Sequence, residues 1–367
     1  MAMMPPGTIP SGYLGTIHFF GYWLGAVIAA KVPLAPRTMM RFSLLAIGIS
    51  VYGMGVTGTF EAWLALRWLA GVCSAWALVL VSNYAVRHLS ARGSAHLQGW
   101  IFSGVGAGIG FAGTACLVFM VSRLGSAVSW QILGLLSLSA AAALCLALGP
   151  ELPATRPARG GQGSRRGPLD WRIVIAYGVM GAGYIIPASY LPVMARGIVD
   201  APIVFGWTWP VFGGAAFAST LIAAKLQGRF TNRRIWAASQ AVMAFGLLLA
   251  AVRQDIAAII IAGVCIGGTF MIITMTGMRE AHRIAPAEDV LRHIAVMTTA
   301  FATGQMIGPV FASAVHDLTG SFTVSLAIAG AALAATALSL AVRPAPLNPP
   351  WRRRPGSRPS AARGPGP

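Results

Sequence analysis

"LAGVC" at residues 69–73 returns as "IAGVC" at residues 261–265, an offset of 192 residues. Each copy lies inside a long apolar run, and such runs fill most of the chain. Of its 367 residues, 56% are hydrophobic and only 10% are charged. Soluble globular domains carry about 25% charged residues, so this composition excludes an ordinary water-soluble enzyme. Eleven runs contain no Asp, Glu, Lys or Arg: 11–30, 42–60, 68–86, 97–122, 124–149, 173–195, 201–224, 235–252, 256–278, 294–315 and 318–342. A bilayer-crossing helix needs roughly 20 apolar residues, and these runs meet that length. Membrane strands would alternate in polarity over short segments instead. Helices also satisfy their own backbone hydrogen bonds, as lipid demands. The expectation is an all-α integral membrane protein, in which the 44 glycines permit close helix packing.

The charges predict its orientation. All but four of the 27 Lys and Arg residues fall in every second connection or in the tail. The four exceptions are Arg67, Arg123, Arg196 and Arg253. Cytoplasmic loops are the ones rich in Lys and Arg. The basic connections, and with them the C-terminus, are therefore expected in the cytoplasm. The net charge of +18 is then a property of loops beside anionic headgroups. Nucleic acid is not an expected partner: the tail "WRRRPGSRPSAARGPGP" (351–367) has one aromatic and the Pro/Gly/Arg composition of a disordered segment.

The repeat sets the internal organisation. "LAGVC" belongs to the third run and "IAGVC" to the ninth. The fourth run carries "SGVGAGIGFAG" (103–113), with Gly104 and Gly108, and Gly106 and Gly110, at small-xxx-small spacing. The tenth carries "TGQMIGPVFAS" (303–313), with Gly304 and Gly308. Such spacing lets helix backbones approach closely, and both pairs are offset by six runs. A parallel repeat of six predicts two pseudo-symmetric six-helix bundles. The expected division is a first half at 1–149, a basic cytoplasmic linker at 150–172, a second half at 173–342 and a disordered tail at 343–367. Five runs precede the linker and six follow it, so 11 of 12 transmembrane helices are expected, with the opening one missing.

Two six-helix halves joined by a basic linker resemble the major facilitator superfamily (MFS). "GYLGTIHFFGYWLGA", "LRWLAGVCSAWALVLVSNYAV", "LQGWIFSGVGAGIGFAG" and "SWQILGLLSL" resemble, more narrowly, its YbfB/YjiJ-type branch. The resemblance covers residues 11 to about 342. It implies a secondary active transporter that moves a small solute across the bacterial inner membrane by alternating access. The loop that usually carries an Asp after Gly in this superfamily reads "GAVIAAKVPLAPRTMMR" here (25–41), with its basic residues and without the Asp. That departure implies a weaker or different latch between the halves.

No carboxylate lies inside any run, although intramembrane proton relays are often built on Asp or Glu. Protons are the coupling ion to consider, with His18 as the candidate relay. The alternative is a His18 hydrogen-bonded to a neighbouring helix. Arg67, at the outer entry of the third run, either snorkels to the headgroups or clamps an anionic solute. Asn83, Tyr184 and Gln305 complete the substrate-pathway candidates. Tyr184 precedes "IIPASYLP" (185–192), whose prolines soften the sixth helix. Trp207 and Trp209 read as an interfacial belt. The four cysteines have no metal-ligand spacing, and no metal or cofactor is expected. No nucleophile constellation supports an enzyme. The competing expectation is a truncated, non-transporting remnant, or a chain read from an incorrect start.

Overall fold

The computed structural model describes residues 11–29, 31–32, 35–94, 97–147, 169–196, 206–226, 229–253, 255–286 and 289–342. Its elements are all helices: α1 (Ser11–Ile28), α2 (Pro36–Val56), α3 (Phe60–Ala91), α4 (Gln98–Val121), α5 (Ser126–Ala147), α6 (Trp171–Arg196), α7 (Thr208–Leu226), α8 (Asn232–Val252), α9 (Ile256–Ile284), α10 (Val290–Thr319) and α11 (Thr323–Ala341). Each follows one of the eleven apolar runs. Ten are long and apolar enough to cross a membrane, and α1 contributes a shorter apolar stretch, Leu14–Ile28. The proposed linker lies outside the described residues except for 169–172, as does the tail beyond Val342.

Several helices outrun their apolar segments. α3 begins at Phe60, where the Thr59 hydroxyl accepts from the Ala62 amide. It takes Glu61 into its first turn and runs for 32 residues, roughly 48 Å at 1.5 Å per residue. α9 starts on the Asp255 carboxylate, which accepts from the Ala258 amide at 2.8 Å. α10 stops at Gly320, whose φ of 70° is the left-handed conformation that ends a helix without a Cβ penalty.

The helices pack in matching pairs six apart. α1 lies on α3 as α7 lies on α9. α2 lies on α3 and α5 as α8 lies on α9 and α11. In the first set the approach is backbone to backbone: a Cβ on Gly71 would strike the His18 carbonyl oxygen, and one on Gly25 would lie 2.6 Å from that of Val72. In the second set the contact falls one turn further along. Gly263, the counterpart of Gly71, has no neighbour within 4 Å, while Gly267 sits against the Phe212 carbonyl.

α4 and α10 match as well, each crossing to the other set: α4 lies on α7 as α10 lies on α1. α4 runs along α7 from one end to the other, with Gly106 on Ala216 and Phe217, Gly110 on Gly213, and Gly113 on Trp209 and Pro210. Its contacts with α3 and α5 are slight. Gly304 and Gly308 of α10 are pressed on Gly178, Gly181, Ala182 and Ile185 of α6. Gly104 and Gly108 of α4 meet nothing within 4 Å. Of the two small-residue spacings that the sequence offers on α4, the close approaches are thus made by Gly106 and Gly110 and not by Gly104 and Gly108. The α6–α10 pair has no counterpart among the described helices.

Polar side chains tie α6, α8, α9 and α11 together. Gln240 accepts the Trp236 indole N–H at 2.7 Å and donates to the Ala176 carbonyl and the Thr336 hydroxyl, so a buried amide links three helices with its donors and acceptor used. At the end of the bundle that carries the basic loops, Glu280 is 1% exposed. It accepts from Arg233 at 2.6 Å and from Arg283 at 2.7 Å, and Arg233 also pairs with Asp170. Buried charge of this kind persists only when paired and hydrogen-bonded.

Candidate functional site

The two sets of helices meet around aromatic rings at mid-depth. Tyr184 and Phe270 lie near the midpoints of α6 and α9. Their rings stack with centroids 4.9 Å apart. Phe212 of α7 is 6.0 Å from Tyr184 and 5.3 Å from Phe270. Phe301 of α10 is 6.3 Å from Tyr184 and 5.4 Å from Tyr177. Tyr177 in turn meets Trp236 edge-on at 6.0 Å. From the other set, Tyr22 of α1 reaches Phe301 at 6.4 Å. Beside that contact, the Trp23 indole N–H donates to the Thr303 hydroxyl at 3.1 Å.

Local sequence explains the placement. Tyr22 and Trp23 stand between Gly21 and Gly25, which bring α1 onto α3 and so fix which face of α1 turns to α10. Tyr184 follows Gly183 and precedes Pro187, on a helix whose Gly178 and Gly181 admit α10 closely. Aromatic rings at 4.5–7 Å contribute about 0.5–1.5 kcal/mol per pair beyond their burial. The cluster therefore serves as both a packing core and a set of flat apolar faces.

The candidates read from the sequence fall in three places. Tyr184 is the hub of the cluster. Gln305, 7% exposed, lies one helical turn beyond Phe301 on α10 and so shares its face. His18 and Arg67 stand together nearer the other end: His18 Nδ1 donates to the Arg67 carbonyl at 3.2 Å. The Arg67 guanidinium lies 4.7 Å above the Trp130 ring of α5, and its Nε is buried with no hydrogen-bond partner. Asn83 is half-buried on α3, sixteen residues beyond Arg67, or roughly 24 Å at the helical rise.

Sequence reasoning missed Tyr22, Phe212, Phe270 and Phe301, because an aromatic within an apolar run carries no local mark of its destination. It also missed the Asp170–Arg233–Glu280–Arg283 group. Among the described residues, no group of three or more His, Cys, Asp or Glu could hold a metal ion.

Comparison with known proteins agrees with this architecture. Residues 8–341 match the family described as "Uncharacterised MFS-type transporter YbfB". No curated protein matches the chain in sequence. Among solved structures, the human organic anion transporter MFSD10 (TETRAN) superposes with a TM-score of 0.71 at 14% identity, over 90% of this chain and 83% of that one. The MFS transporter FucP, in its outward conformation, superposes with a TM-score of 0.66 at 14% identity, over 92% of this chain and 91% of that one. These likenesses show the fold. The family match over nearly the whole chain places the protein among the MFS transporters, as a multi-span membrane carrier rather than an enzyme, and within the YbfB-type family.

Proposed function

We propose that the chain is a secondary active transporter that carries a small organic solute with an apolar or aromatic body across the bacterial inner membrane by alternating access. The observation that carries this reading is the aromatic cluster around Tyr184. It lies at mid-depth, where helices of both sets converge, and both sets supply rings to it. Transporter sites lie near the bilayer midplane between repeats. In this reading the halves are residues 1–149 and 173–342, joined by the basic segment 150–172, with that segment and the C-terminus in the cytoplasm. Tyr184 and Gln305 face the solute, and Asn83 borders its path toward the basic end. Arg67 offers a positive charge in the outer half, which accommodates an anionic group on the solute; a structurally similar carrier is called an organic anion transporter. Protons are the coupling ion to test, with His18 as the relay.

The experiment is uptake of a panel of aromatic, aliphatic and anionic organic solutes into proteoliposomes, with and without an inward proton gradient. Uptake of at least one solute, lost in Tyr184→Ala and retained in Tyr184→Phe, supports the proposal. A folded protein that moves none of them sinks it.

A further inference from the structure

On the outer flank of the second set, away from the aromatic cluster, α8 and α11 line an open groove of about 640 Å³. Its α8 wall runs from Arg234 through Ala237 and Ala241 to Leu248, and Ala334 and Ala341 face it from α11. At its deep end the helices close: a Cβ on Gly330 would lie 2.8 Å from the Leu248 side chain. Toward Arg234 the short alanine side chains leave the seam open. Its rim is exposed and apolar, with Phe245 and Leu338 turned outward. The wall from Arg234 to Leu248 covers fourteen residues, roughly 21 Å. One leaflet of hydrocarbon is about half of the 30 Å core. The cleft therefore spans one leaflet and ends at its headgroup level.

We propose that this cleft binds one anionic phospholipid of the leaflet that meets the basic loops, with an acyl chain along the alanines and the phosphate on Arg234. An apolar cavity stays dry, and one that opens sideways into hydrocarbon is filled by the chain that borders it. Arg234 supplies the charge complementarity. Its neighbour Arg233 is held by Asp170 and Glu280, whereas Arg234 is exposed at the mouth of the cleft. A guanidinium presents a planar fork that matches two phosphate oxygens, and basic groups at this level attract anionic lipid.

The test is native mass spectrometry and thermal unfolding of the purified full chain, supplied with phosphatidylglycerol or phosphatidylcholine. Phosphatidylglycerol is expected to remain bound at several-fold higher occupancy and to raise the melting temperature more. Arg234→Gln should erase the difference between the two lipids. Ala241→Leu and Ala334→Leu, each filling the cleft, should lower retention of both lipids. Two such variants guard against one that fails to fold. Inorganic phosphate should have no effect. Equal retention of the two lipids by the wild type overturns the proposal. So does a lipid preference that survives Arg234→Gln, or full retention in both leucine variants. An Ala238→Cys chain that cross-links into a dimer through this face would assign the cleft to a second copy instead.

Discussion

Trp23 and Thr303, 280 positions apart in sequence, are joined by a hydrogen bond of 3.1 Å that connects α1 to α10. Thr303 accepts from the indole and donates its own proton to the Thr299 carbonyl at 2.9 Å. The bond lies beside the Tyr22–Phe301 contact, so a polar link and an aromatic one cross the same boundary.

Trp23→Phe keeps most of the ring volume and removes the donor. The threonine hydroxyl stays satisfied through Thr299, so the loss should be small, about 0.5–1.5 kcal/mol. Trp23→Ala also leaves a hole and should cost about 3–5 kcal/mol. Thermal unfolding in detergent should rank the two in that order; equal losses would mean that the indole N–H, not its bulk, holds the contact.

Glu280→Gln tests the charged group at the basic end. It would leave Arg233 with Asp170 alone and weaken the hold on Arg283. Breaking a buried pair by removing one charge costs about 3–5 kcal/mol. Double replacement of Glu280 and Arg233 by Gln and Met should recover part of that loss. A single variant as stable as the wild type would show that the group contributes nothing net.

The glycines of α4 and α10 should respond in opposite directions. Gly304→Ala drives a methyl onto the Gly178 carbonyl, and overpacking costs about 1–3 kcal/mol. Gly104→Ala adds a methyl to open space and should gain about 0.5–1 kcal/mol through lower backbone entropy. If both variants lose stability, Gly104 is covered by something in the purified protein.

The two copies of the opening pentapeptide should differ in the same way. Gly71→Ala meets the His18 carbonyl and should separate α1 from α3, whereas Gly263→Ala meets nothing. Melting temperatures of the two variants provide the comparison, and equal drops would contradict the packing described for α9.

Arg67→Lys keeps the charge and gives up the planar stack on Trp130. Such contacts contribute about 0.5–2 kcal/mol according to their exposure. The stability loss should match that of Trp130→Leu. Transport of an anionic solute should fall in Arg67→Lys if the guanidinium fork holds the solute, and should persist if the arginine only anchors α3.

The uncharged runs located every described helix, because a bilayer punishes charge and leaves long gaps between basic loops. Helix ends were less legible. Phe60–Arg67 and Arg279–Ile284 are helical although charged, since a hydrogen-bonded backbone continues beyond the apolar stretch that marks it. Tyr184 was legible from its depth and its flanking prolines. Phe212, Phe270 and Phe301 were not, because only the packing of three further helices brings them to it. Asp170, Arg233 and Glu280 each looked like the edge of a span, and their mutual contact depends on how α6, α8 and α9 align at one end. The repeat was legible as a six-helix offset, but identical letters did not mean identical contacts, as Gly71 and Gly263 show.

The seam between α4 and α7 is made largely of glycine, at Gly106, Gly110, Gly113 and Gly213. Interlocked side chains must change rotamer, one by one, before two helices can shift past each other. Glycines have none to change. Such a seam behaves as a plain bearing: tight in its normal direction and smooth along its length. The contact that joins the two sets here is therefore fixed in spacing by backbone contact, while little side-chain interlocking fixes its position along the helices.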